Sequence, residues 1–203
     1  MSKPIFVTGI GTGVGKTIVS AILVEKLKAD YWKPVQAGDL DQSDTITVKS
    51  LVSNSISHFH PEAYRLTQPY SPHKAAALDG IEINPDKIIL PQTGNQLIIE
   101  GAGGLMVPLN NNFLMIDLIK KLDAEVVLVS RNYLGSINHT LLSIDALKTR
   151  SINIKAIVFN GTRDQYSEDV IKLSASATNI FFIPEINELS KENCLAASFY
   201  IEL

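Results

Sequence analysis

The chain has 203 residues, 45% of them hydrophobic, enough to bury one sizeable core and within the range of a single domain spanning 1–203. Its 18 Lys+Arg nearly balance 21 Asp+Glu, so no basic surface fit to neutralise many nucleic-acid phosphates is expected. No run reaches the roughly eighteen apolar residues of a membrane span, which suggests a cytoplasmic protein without a membrane partner, and Cys194, the only cysteine, excludes an internal disulfide or a cysteine-based metal cluster.

In chain order, short apolar runs predict strands at 4–9 (PIFVTG), 31–36 (YWKPVQ), 96–101 (QLIIEG), 125–130 (EVVLVS), 154–159 (IKAIVF) and 179–184 (NIFFIP). They are continuous rather than alternating, as strands covered on both faces are, and such strands belong to mostly parallel sheets. Helical patterns fall between them at 17–28, 117–122, 136–149 and 167–175. The alternation predicts an α/β fold, a doubly wound, mostly parallel sheet flanked by helices. Residues 39–91 break the rhythm. A helix is expected over 43–52, then a Ser-, His- and Pro-rich stretch, HFHPEAYRLTQPYSPH, whose prolines favour an extended, ordered loop of the kind that carries substrate chemistry.

The sharpest feature is GIGTGVGKT at 9–17, between the first strand and an amphipathic helix. In that setting several backbone N–H groups surround an anion at a helix N-terminus, as in a P-loop that binds nucleotide. Lys16 would reach the β- and γ-phosphates and the Thr17 hydroxyl would hold Mg²⁺. A dinucleotide-binding fingerprint fails on spacing, because its third glycine would fall on Val14 or Lys16. Magnesium on a nucleotide takes one or two carboxylates besides phosphate oxygens and water. Asp44, in DQSDTITVKS, is one candidate, with a helix cap or first-turn acid as the plain alternative. Glu100 is the other. It ends a buried strand at the sheet edge where ligands bind, a costly place for a charge unless something positive answers it.

GIGTGVGKT, WKPVQAG, QSD, YSPH, IIEGAGGLMVPL, YLGSINHTLL and VFNG occur in the order and spacing of their counterparts in the dethiobiotin synthetase family, which this chain resembles from residue 3 to about 162. The family's loop typically reads GTDTxVGKT, with its first glycine one residue farther from Gly-Lys-Thr than usual. Gly9 aligns with that glycine, Ile10 stands for a threonine and Gly11 for an aspartate. The resemblance implies a P-loop ligase that uses ATP and Mg²⁺ to join CO₂ to 7,8-diaminopelargonic acid. One amine captures CO₂ as a carbamate, the carbamate takes the γ-phosphoryl group, and the second amine closes the cyclic urea of dethiobiotin, releasing ADP and phosphate.

The resemblance also assigns residues. The nucleotide-binding run comprises Gly11, Thr12, Gly13, Val14, Gly15, Lys16, Thr17 and Ile18, joined by Glu100 and Gly103. Asn160 would read adenine, although Asn-Gly also makes plain turns, and Pro184 lies in a segment expected to close over the base. Lys33 and Lys16 are the catalytic cations, and Thr17, Asp44 and Glu100 the Mg²⁺-linked positions. Ala37, Ser71 and Gly103 join Lys33 around the diamine, with Ala37 where relatives carry serine or threonine. Gly135 and Asn138, in LGSINH, would meet the substrate carboxylate across a homodimer interface. A partitioning ATPase of the same P-loop group is the main rival, but such proteins carry a lysine early in the loop, where this chain has Ile10 and Gly11. An amidoligase would need a glutaminase domain, and a simple kinase is the third alternative.

Overall fold

The computed structural model describes residues 2–175 and 178–203. The chain runs β1 (Ile5–Gly9), α1 (Lys16–Leu27), β2 (Asp30–Trp32), β3 (Val35–Ala37), α2 (Asp44–Leu51), β4 (Phe59–His60), β5 (Tyr64–Leu66) and α3 (Pro72–Leu78). It continues through β6 (Leu97–Gly104), β7 (Pro108–Asn110), β8 (Phe113–Leu114), α4 (Met115–Lys121), β9 (Glu125–Ser130) and α5 (Ser136–Thr149). It closes with β10 (Ile154–Asn160), α6 (Gln165–Ala175), β11 (Asn179–Ile183) and α7 (Lys191–Ser198).

Among the described residues, seven strands form one sheet in the order β11-β10-β9-β1-β6-β2-β4, every neighbouring pair parallel. The doubly wound parallel fold is therefore as expected. Alternate residues of β1 serve opposite faces. Ile5 and Val7 join the core beneath α1, α2 and α7, while Phe6 joins the one beneath α4, α5 and α6. From β1 the chain crosses through α1 to β2 on one side, and from β6 it crosses through α4 to β9 on the other. Winding in opposite directions opens a crevice beyond the carboxyl ends of β1, β2 and β6, the place where such sheets bind ligands.

Two expectations change. The strand predicted over 31–36 is two strands, because Lys33 and Pro34 interrupt it: β2 stays in the main sheet and β3 pairs in parallel with β5 in a separate two-stranded sheet. Proline restricts the residue before it and has no N–H for a ladder, so the chain turns there. The stretch predicted as a long loop up to 91 also holds β4, β5 and α3, the last with Pro72 in its first turn, where a missing N–H costs nothing. Among the described residues, no helix is long and apolar enough to cross a membrane.

Candidate active site

The loop from Gly9 to Lys16 is anchored at three points. Ile10 donates its N–H to the Val129 carbonyl (3.0 Å), the Lys16 Nζ donates to the Gly11 carbonyl (2.9 Å), and the Asn160 Nδ2 donates to the Val14 carbonyl (3.1 Å). Gly15 makes this closure possible. Its φ is 95°, and a Cβ there would lie 2.0 Å from the Asn160 Nδ2. Gly11 is the contrary case: a Cβ there would meet nothing within 4 Å.

At the start of α1 the Thr17 hydroxyl stands 2.9 Å from both Asp44 Oδ1 and Glu100 Oε1. Ser43 caps α2 by accepting from the Ile46 N–H, which leaves the Asp44 carboxylate free to face the loop. The Asp44 N–H is received by Gln36 Oε1 at 3.3 Å. The Lys33 Nζ pairs with Asp44 Oδ2 and lies 3.2 Å from Glu100 Oε1. On the far side of the Glu100 carboxylate, the Tyr31 hydroxyl donates to Oε2 at 2.9 Å.

Burial makes these contacts consequential. Glu100 is 1% exposed, Lys33 4% and Lys16 7%, so each charge has lost most of its water and depends on the others. Burial opposes the charge on Lys33, yet Glu100 and Asp44 outweigh it and hold the ammonium above the usual lysine range. Asp44 is held below the carboxylate range, since Lys33 and the Thr17 hydroxyl overcome the penalty of its partial burial. Burial dominates at Lys16, whose pKa is lowered despite Glu100 and Asp44 nearby, with Lys33 adding repulsion. Lys16 is thus a cation in want of further negative charge. Burial, then Glu100, pushes the Tyr31 phenol well above its ordinary range, so it is a neutral donor.

Lys16, Thr17, Lys33, Asp44 and Glu100 line a cleft of about 590 Å³, together with Pro69, Tyr70, Ser71 and Pro72. It brings together many of the residues singled out in the sequence: Thr12, Gly13, Gly15, Lys16, Thr17, Lys33, Ala37, Asp44, Ser71, Glu100 and Gly103. Gly11 faces a neighbouring hollow with Ile10 and Met106. Val14 is buried in the core with only its carbonyl engaged by Asn160, and Ile18 packs partly buried on the helix. Pro184 lines a separate depression with Gly161, Thr162 and Phe182. Gly135 and Asn138 lie in another hollow, with Tyr133 and Leu134, and do not reach the cleft of their own chain. Tyr31 and Gln36 are among the contributors that the sequence did not single out. Tyr31 stands two residues before Lys33, the spacing that sends both side chains to one side of a strand, and that spacing is the signal that could have found it.

The comparisons with known proteins fit this arrangement. The AAA_26 family, described as an AAA domain, matches residues 3–193. An ATP-dependent dethiobiotin synthetase of Christiangramia forsetii is 58% identical over 85% of this chain and 83% of its own. The enzyme of the same name from Cytophaga hutchinsonii is 51% identical over 94% of this chain and 92% of its own.

The chain belongs to the ATP-dependent dethiobiotin synthetase family.

Membership makes it an enzyme, an ATP-dependent ligase of biotin synthesis. Among solved structures, a ParA family ATPase from Chlorobium tepidum superposes with a TM-score of 0.57, covering 97% of this chain and 90% of that one at 15% identity. That likeness shows the P-loop fold.

Proposed function

We propose that the chain converts 7,8-diaminopelargonic acid, CO₂ and ATP to dethiobiotin, ADP and phosphate, with residues 1–203 as one cytoplasmic ligase domain. The observation that carries this reading is the meeting, in one cleft behind a phosphate loop, of two buried lysines with two carboxylates. Three anionic groups must gather in this reaction: the carbamate, the γ-phosphoryl group and the diphosphate it leaves. Each needs a positive or N–H partner already in place, and that preorganised electrostatic support is the main contribution a protein makes to phosphoryl transfer.

The donor set fits Mg²⁺. Thr17 Oγ1, Asp44 Oδ1 and Glu100 Oε1 are hard oxygen donors meeting at one point. Among the described residues no group of three or more His, Cys, Asp or Glu is arranged to hold a metal by itself. This suits an ion that completes its coordination with phosphate oxygens and water. When bound there, the ion would neutralise charge on the β- and γ-phosphates.

The chain's own residues do the rest. Lys16, short of negative charge, receives the phosphates, and the loop N–H groups from Gly11 to Gly15 wrap them. Lys33, paired with Asp44 and Glu100, is the cation positioned to follow the carbamate as its oxygen attacks phosphorus. The second amine then attacks the carbamic–phosphoric anhydride at carbon, and phosphate leaves with the oxygen that attacked it. Ser71 and Gly103 orient the diamine, and Ala37 contributes a methyl where relatives carry a hydroxyl. Asn160 has its amide oxygen left for adenine, with Pro184 beyond it. Gly135 and Asn138, exposed and outside their own cleft, meet the substrate carboxylate of a second subunit in a homodimer.

Phosphate release with ATP, Mg²⁺ and bicarbonate tests the reading. It should rise strongly on adding 7,8-diaminopelargonic acid and depend on bicarbonate. Release indifferent to either compound would sink it.

A further inference from the structure

Glu100 accepts three side-chain hydrogen bonds among the described residues, and they differ in kind. Thr17 and Lys33 both serve Oε1 and both line the cleft. Tyr31 alone serves Oε2, at 2.9 Å, and it lies outside the cleft, fully buried in β2 with its ring tilted against Phe59 at a centroid distance of 6.1 Å. The contrast matters because the terminal torsion of a glutamate is broad and sets no carboxylate plane by itself. In the reaction proposed above, the two partners of Oε1 exchange contacts as metal, nucleotide and carbamate arrive. Only the contact to Oε2 can persist throughout.

We propose that Tyr31 is a positioning residue, whose hydroxyl fixes the carboxylate plane of Glu100 so that Oε1 stays aimed at Thr17 and the incoming divalent cation. The register of the sheet makes this possible. Tyr31 pairs with Ile98 and Trp32 with Ile99, so Glu100 emerges just beyond the last paired residue of β2. The Tyr31 phenol then holds Oε2 while the Lys33 ammonium meets Oε1. A bland reading is that a core tyrosine has found the nearest acceptor, in which case losing the hydroxyl would weaken the fold and leave cation binding alone.

The inference rests on Glu100 being linked to the cation, and the test separates the two ideas. Mn²⁺ binding to the protein–ADP complex is measured by electron paramagnetic resonance, and ADP binding without metal by calorimetry, in Tyr31→Phe, Glu100→Gln and the double variant. A hydrogen bond to a buried charged group is commonly large enough for its loss to weaken Mn²⁺ binding about tenfold or more in Tyr31→Phe. Metal-free ADP affinity should stay within about twofold, since the hydroxyl touches no loop atom. The double variant should bind Mn²⁺ no more weakly than Glu100→Gln alone, because both changes act on one contact. If Tyr31→Phe is too unstable for these measurements, Tyr31→Met fills the site without a hydroxyl and carries the same expectation. Unchanged Mn²⁺ affinity in the tyrosine variants, with affinity lost in Glu100→Gln, overturns the role of Tyr31 alone. Unchanged affinity in Glu100→Gln overturns the reading of Glu100 and this inference with it.

Discussion

Lys33 carries the largest share of the proposed chemistry, and its surroundings explain why a lysine is tolerated where almost no lysine sits. At 4% exposure it stays charged because Asp44 and Glu100 accept it. Lys33→Ala should lower turnover about a hundredfold or more, the usual cost of losing one electrostatic partner of a transition state. ATP affinity should change far less, because the partner proposed for Lys33 is the reacting carbamate. Steady-state kinetics with separate nucleotide titrations checks this, and loss of ATP binding with turnover intact at saturation would contradict it. Ala37 is the milder case. Ala37→Ser returns a hydroxyl to the cleft, and a neutral hydrogen bond of about 0.5–1.5 kcal/mol should lower KM for the diamine by roughly tenfold at most, with kcat little changed.

The elements most legible in the sequence are those with strong periodicity and length. The strand predicted at 125–130 and the helix at 136–149 match β9 and α5 to the residue, because a continuous Val-rich run and a 14-residue pattern leave little ambiguity. Elements of two or three residues, such as β4, β5, β7 and β8, carry no period and exist only through tertiary pairing. The break at Lys33–Pro34 was written in the proline, yet the apolar residues around it read as one strand. The site was legible where backbone chemistry demands particular residues, as in the phosphate loop. It was obscure where, as at Tyr31, a functional contact comes from a residue type that cores use routinely.

Asp30 ties three segments together at the end of the sheet opposite the cleft. It accepts from the His58 N–H (2.9 Å), Thr93 Oγ1 (2.6 Å) and Asn95 Nδ2 (2.9 Å), and pairs with His60 Nε2 (3.1 Å). Burial works against its charge, but Asn95 and Thr93, then His58 and His60, hold its pKa well below the ordinary carboxylate range. A depressed carboxylate contributes stability that is complete above its unfolded pKa, about 3.9, and is lost as pH falls toward the folded value. Asp30→Asn should therefore lower stability at neutral pH and flatten its decline below about pH 4. Denaturant melts at a series of acid pH values measure this, and an unchanged slope would contradict it.

For the whole molecule, the doubly wound sheet supplies the crevice and the residues in it decide the chemistry. The same fold serves a ParA family ATPase at 15% identity, whereas the relatives at 51–58% identity are dethiobiotin synthetases. The central claim is that the cleft joins an oxygen of the carbamate to the γ-phosphorus, and isotope transfer addresses that bond directly. With ¹⁸O-labelled bicarbonate as the carbon source, sampled before the label exchanges with water, mass spectrometry of the released phosphate should find one ¹⁸O per molecule, matched by ¹⁸O in the urea carbonyl of the product. Phosphate free of the label, formed together with a labelled product, would contradict it.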